Sequence, residues 1–119
     1  IVGIDARGFI FGAAVADRLG VGFIPMRKTG KLPWKTVGET YALEYGEAVL
    51  EVHQDAIAKG ERVVVVDDLL ATGGTARAAA NLIDQLGGDL RCLAFLIELD
   101  FLKGRDLFDG LEIDSILHY

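Results

Sequence analysis

Apolar positions along this chain follow two periods. Apolar and β-branched runs bounded by glycine or charge predict strands over Ile1–Asp5, Val21–Met26, Arg62–Val66, Leu90–Leu99 and Ile113–Leu117. Between them, Phe9–Leu19 repeats apolar residues at helical spacing and stops at Gly20. The alanine-rich Thr75–Leu86 does the same and stops at Gly87-Gly88. Strand, helix and strand in alternation predict an α/β domain built on a mainly parallel sheet. Residues 27–53 break the alternation. "RKTGKLPWKTVGETYALEYGEAVLEVH" reads as a basic turn, a loop and two extended stretches, Tyr41–Tyr45 and Ala48–His53. An insertion longer than an ordinary connection is expected to act as a mobile functional flap. No repeat or low-complexity tract divides the chain, so residues 1–119 read as one domain.

Composition changes this picture in a few places. A chain of 119 residues that is 51% hydrophobic can bury a real core. A net charge of −6 argues against a nucleic-acid binder. It leaves room for a local cation cluster such as Arg27, Lys28 and Lys31. One cysteine, Cys92, rules out an internal disulfide and suits a reducing cytoplasm. Its apolar surroundings, "RCLAFLIEL", make it a structural thiol rather than a nucleophile. No run has the length of a membrane span and no signal peptide is visible, so a cytoplasmic protein without a membrane partner is expected. The chain opens on "IVGID", inside a strand pattern and without an initiator methionine, so an upstream segment is expected.

The candidate chemistry centres on "VVVVDDLLATGGT", Val63 to Thr75. The valine run does not alternate, as in a central parallel strand buried on both faces. Ligands of such sheets bind beyond the carboxyl ends of the strands, where Asp67 and Asp68 are expected to emerge. Thr72, Gly73, Gly74 and Thr75 then open the next helix, whose free amides and dipole suit a phosphate. Neither the lysine of a P-loop nor a GxGxxG fingerprint is present. A carboxylate about 5 Å from a phosphate costs roughly 3 kcal/mol at an effective dielectric of 20. The pairing works if the acids meet groups that need acceptors, such as sugar hydroxyls or a divalent cation. A sugar phosphate meets both demands.

The same stretch resembles the signature of the type I phosphoribosyltransferases, and within them the adenine phosphoribosyltransferase family. "GIDARGFIFG", "RKTGKLP", "YALEYG", "LEVHQDAI" and "VVVVDDLLATGGT" match that pattern in order over nearly the whole chain. The resemblance implies a mainly parallel twisted sheet flanked by helices, with a flap insertion at about residues 27–53. It implies the reaction of adenine with 5-phosphoribosyl-1-pyrophosphate to give AMP and pyrophosphate, and a homodimer.

Site roles follow by resemblance. Asp67 and Asp68 would hold the ribose hydroxyls, with Mg²⁺ carried mainly by the substrate and touching either acid through water. Ala71, Thr72, Gly73, Gly74 and Thr75 would cradle the 5′-phosphate. Ala6 and Arg7, in "DARG", match the pyrophosphate loop, where a cis peptide at Ala6–Arg7 is expected. Arg27 is the next candidate for pyrophosphate, while Lys28 and Lys31 suit either contact or solvent. Glu44 would exchange a proton with purine N7, and Tyr45 would close the flap. Alanine at position 71, where 6-oxopurine enzymes carry an aspartate, points to adenine. His53 and His118 suggest no site, and Trp34 in the flap region fits a lid contact or plain loop packing equally; Glu98, Leu99 and Asp100 are expected near the base pocket. Relatives carry an N-terminal hood before the residues matching "IVGID". Residues 1–119 alone are therefore expected to bind phosphoribosyl ligands and turn over poorly. The alternatives are a module that senses phosphoribosyl pyrophosphate without catalysis, or an enzyme for xanthine or another base.

Overall fold

The computed structural model describes residues 1–43 and 45–119. Among these residues seven strands form one sheet: β1 (Val2–Ile4), β2 (Ile24–Lys28), β3 (Thr36–Ala42), β4 (Glu47–His53), β5 (Arg62–Leu70), β6 (Asp89–Glu98) and β7 (Glu112–His118). Two helices, α1 (Arg7–Leu19) and α2 (Gly74–Gln85), flank it. The strand order is β3-β4-β2-β1-β5-β6-β7. β1 pairs parallel to both β2 and β5, and β5, β6 and β7 continue in parallel. β4 alone runs against the others, antiparallel to both of its neighbours, β2 and β3. The expected α/β class with a mainly parallel sheet is what forms.

The sheet has a distinct layer on each face. Val65 and Val66 are consecutive and must point to opposite sides. Val63 and Val65 join the core with Ala76, Ala79, Leu82 and Ile83 of α2. On the other side, α1 lies against β1 and β5 through buried Gly8, Gly12 and Ala16. A methyl group on Gly8 would sit 2.8 Å from Asp67 Oδ1 and 2.9 Å from Val66 O. The bare backbone of α1 is therefore what lets the helix approach the acid-bearing strand. Gly20, left-handed at φ 68°, ends α1 with its amide on Asp17 O.

Several boundaries depart from the sequence reading, each for a pairing reason. β2 starts at Ile24 because the residues before it close off α1, with Val21 N donating to Ala16 O. β5 continues past Val66 to Leu70, since its partner β6 offers acceptors and donors through Glu98. Asp67 and Asp68 thus lie within the strand rather than beyond it. The first extended stretch of the insertion is Thr36–Ala42, not Tyr41–Tyr45, and pairs residue for residue with β4. Its polar sequence hid it from a search for apolar alternation. β4 also pairs with β2 through Arg27 and Lys28, so the insertion widens the sheet at one edge. Among the described residues, no helix is long and apolar enough to cross a membrane.

Candidate functional site

Beyond the carboxyl ends of β1 and β5 the chain encloses a cleft of about 400 Å³. Its walls are Asp5, Ala6 and Arg7 from the β1–α1 turn, Lys28 from β2, Tyr41 and Leu43 from the hairpin, and Asp67 through Ala76. The last segment runs from β5 through a turn into α2. Gly73 precedes the helix in the left-handed region, at φ 91°, which glycine adopts without a steric penalty. The first helical bond of α2 runs from Arg77 N to Gly73 O, 2.8 Å long. The amides of Gly74, Thr75 and Ala76 therefore have no helical acceptor, and no side chain caps them. Three open donors at the positive end of a helix dipole make an anion seat.

The acids beside that seat are partly neutralised. Arg7 Nε donates to Asp68 Oδ2 across the cleft. Asp67 is sunk behind it, and burial raises its pKa to about 7 against the opposing pull of the Asp68 amide. That amide donates to Asp67 Oδ1 at 2.8 Å. Near neutral pH the pair thus carries less negative charge than two free carboxylates. The repulsion foreseen from sequence is reduced by burial on one acid and by an arginine on the other.

The β1–α1 turn supplies the cationic side. Its cis peptide lies at Asp5–Ala6, one bond earlier than expected at Ala6–Arg7. Arg7 is already the first residue of α1, and a helix propagates only through trans bonds, so the reversal falls before Ala6. Asp5 accepts from Arg27 Nε at 2.9 Å and pairs with Lys31 Nζ at 3.7 Å. Arg27 also donates from Nη1 to Lys31 O at 3.3 Å. One carboxylate on the cleft wall thereby gathers two cations from β2 and the turn after it.

Comparison with known proteins bears directly on this geometry. Residues 1–99 match the phosphoribosyl transferase domain family. An adenine phosphoribosyltransferase of Thermoanaerobacter pseudethanolicus superposes with a TM-score of 0.96 at 54% identity, over 99% of this chain and 69% of that one. The chain belongs to the phosphoribosyltransferase family, among the adenine phosphoribosyltransferases. The adenine phosphoribosyltransferase of Koribacter versatilis is 62% identical over all of this chain. The chain spans 65% of that relative's length. A Saccharomyces cerevisiae adenine phosphoribosyltransferase, solved with an imino-altritol bisphosphate and adenine, is similar at TM-score 0.94 and 46% identity. That match covers 98% of this chain and 65% of the yeast one.

Most of the residues singled out from the phosphoribosyltransferase pattern come together on the cleft. Ala6, Arg7, Lys28, Asp67, Asp68, Ala71, Thr72, Gly73, Gly74 and Thr75 all line it. Arg27 and Lys31 do not line it and face Asp5 instead. Tyr45 is 89% exposed and away from the cleft wall. Glu44 lies outside the described residues. Glu98, Leu99 and Asp100, expected at a base pocket, line no part of this cleft. Glu98 is instead buried and engaged by Arg105 and Ser115.

Other side chains keep structural places. Cys92 sits part-buried, its thiol pKa raised by burial and by nearby Glu112 and Asp114, which removes thiolate character. His118 pairs with Asp100 through Nδ1 at 2.8 Å, and Asp100 raises its pKa. His53 buries Nε2 without a hydrogen-bond partner among the described residues. Trp34 stays half-exposed under Lys35. Sequence reasoning gave no role to Asp5, Tyr41 or Leu43. Asp5 stood inside "DARG" and was open to notice; Tyr41 and Leu43 reach the cleft only because β3 pairs at the sheet edge.

Proposed function

We propose that this chain carries the phosphoribosyl-binding core of an adenine phosphoribosyltransferase. It would transfer the phosphoribosyl group of 5-phosphoribosyl-1-pyrophosphate to adenine, giving AMP and pyrophosphate, as in purine salvage. The observation that carries this reading is one cleft holding an open-amide turn, an acid pair and Arg7 with Lys28. A ligand with a phosphate at one end, sugar hydroxyls in the middle and pyrophosphate at the other matches that order of donors and acceptors.

In this reading the turn from Ala71 to Thr75 seats the 5′-phosphate through backbone amides and the Thr72 and Thr75 hydroxyls. Asp67 and Asp68 accept from the ribose hydroxyls. Ala6 and Arg7 meet the pyrophosphate, helped by Lys28 at the wall and by Arg27 and Lys31 close behind it. The C1′–O bond breaks while positive charge grows on the ribose, so the carboxylates below the ring and the cations around the leaving group act where charge develops. Hard carboxylate oxygens on the wall suit Mg²⁺, and Asp67 forms no ion pair among the described residues. Mg²⁺ would be held mainly by ligand oxygens and would neutralise the departing pyrophosphate. Glu44 is assigned proton exchange at purine N7, and Tyr45 closure of the hairpin tip over the cleft. The reading includes a cytoplasmic location and a homodimer; apolar residues left exposed on α1, Ile10 and Leu19, support the homodimer.

The test is product formation from competing bases. With 5-phosphoribosyl-1-pyrophosphate and Mg²⁺, adenine should yield AMP, whereas hypoxanthine and xanthine yield no nucleotide. Glu44→Ala should abolish AMP formation and leave phosphoribosyl binding in place. Equal use of the three bases would contradict adenine specificity. Tight phosphoribosyl binding with no turnover of any of the three bases would favour a sensing module.

A further inference from the structure

The turn that seats the phosphate is supported from behind by a segment to which nothing so far gives a role. After β6 the chain makes two short 3-10 turns, Asp100–Leu102 and Gly104–Leu107. Gly104 is buried, and its backbone lies directly on that of residues 71–73. A methyl group on Gly104 would stand 2.3 Å from Ala71 O, 3.1 Å from Gly73 N and 3.1 Å from Thr72 C. From the other side, a methyl on Gly73 would stand 2.9 Å from Gly104 O. Two backbones meet with no side chain between them. Gly104 is not in the left-handed region, so what requires glycine there is space rather than conformation.

The supporting segment is itself pinned. Arg105, the next residue, forks onto Glu98 through Nη2 to Oε1 at 2.6 Å and Nε to Oε2 at 3.1 Å. Its Nη1 donates to Ile113 O on β7 at 3.1 Å. Glu98 is 4% exposed and also accepts from Ser115 Oγ at 2.6 Å. A two-pronged arginine–carboxylate pair fixes orientation as well as distance. Arg105 is the chief reason the Glu98 carboxyl stays below its usual range, followed by Ser115. Leu99 N donates to Leu70 O at 2.9 Å, which ties the start of the segment to the end of β5. The segment is therefore anchored to three strands from both sides of Gly104.

We propose that Gly104, held by the Glu98–Arg105 fork, is a positioning residue that sets the shape of the Ala71–Gly74 turn and hence its affinity for a phosphomonoester. This inference rests on the reading of that turn as the 5′-phosphate seat. It adds a control from outside the cleft wall, since neither Gly104 nor Arg105 lines the cleft. Carbon and oxygen cannot stay 2.3 Å apart, so Gly104→Ala must move the turn, the segment or both by about 1 Å. Misplacement on that scale costs on the order of 100-fold where groups must be aimed.

The experiment titrates ribose 5-phosphate and, separately, pyrophosphate into the 119-residue chain and its variants by calorimetry, with melting curves alongside. Gly104→Ala is expected to weaken ribose 5-phosphate at least tenfold and to leave pyrophosphate, which answers to Arg7, within twofold. Arg105→Lys keeps the charge but cannot fork, and should show the same selective loss at several-fold. Ribose 5-phosphate binding unchanged in both variants overturns the proposal. So does equal loss of both ligands in a folded variant, which would mark a general structural role. If Gly104→Ala does not fold, Arg105→Lys decides on the same criteria. Failure of the unaltered chain to bind ribose 5-phosphate at all would instead reject the reading of the turn.

Discussion

Asp67 and Asp68 show how one dipeptide can carry two different electrostatic states. Adjacent in sequence, they share the cleft, yet Asp68 is answered by Arg7 while Asp67 is raised to about 7 by burial. The unfolded chain would hold Asp67 near the ordinary value of about 3.9. Between roughly pH 4 and 7 the folded state then binds more protons than the unfolded state. Stability contributed at this site therefore falls as pH rises through that window and levels off above it. Asp67→Asn, which has no proton to lose, should gain on the parent chain by about 1–3 kcal/mol from pH 4 to pH 7.5. Urea midpoints across that range would show it; a constant difference between the two proteins would contradict the assignment. The acids and the glycine turn were legible in the sequence because both are local. The Arg7–Asp68 pair was not, because it joins residues 61 apart and depends on β1 lying beside β5.

At the scale of elements, the helices and the parallel strands were readable because each buries an apolar face with a clear period. The hairpin was readable only in part. β4 buries Leu50 and Val52, while β3 packs only Val37 and Tyr41 against the core and adds polar contacts that no hydrophobic pattern announces. Glu39 accepts from Asn81 Nδ2 at 3.0 Å and from Gln85 Nε2 at 2.9 Å. Those donors stand four residues apart on α2 and so share one face of the helix. The contact fastens the hairpin to the helix whose first turn opens the cleft. Glu39→Ala should lower stability by about 1 kcal/mol, the typical net value of such bonds. It should also speed hydrogen exchange of the β3 amides while leaving β6 unchanged. Uniform exchange across both strands would show that Glu39 does not hold this edge in particular. The same dependence on tertiary contact explains why the partner of Glu98 was not legible in the sequence. A buried glutamate at a strand end looks alike in sequence whether it meets a ligand or, as Glu98 does, an arginine.

For the whole molecule, the candidate site is laid out along the carboxyl edge of the parallel strands. The open amides of α2 stand at one end, the acids of β5 lie in the middle, and the β1–α1 turn with its cations closes the other end. The charge of the chain as a whole, −6, gives no hint of this, since Arg7 and Lys28 stand on the cleft wall while Asp5 on the same wall holds Arg27 and Lys31. The central claim is that this edge is a seat for a phosphoribosyl polyanion. Calorimetric titration of 5-phosphoribosyl-1-pyrophosphate with Mg²⁺ into the 119-residue chain tests it most directly. The account predicts saturable binding at one site per chain, weakened at least tenfold by Gly73→Ala, which strains the φ 91° position and crowds Gly104. Absence of binding at millimolar ligand, or binding indifferent to Gly73→Ala, would contradict it.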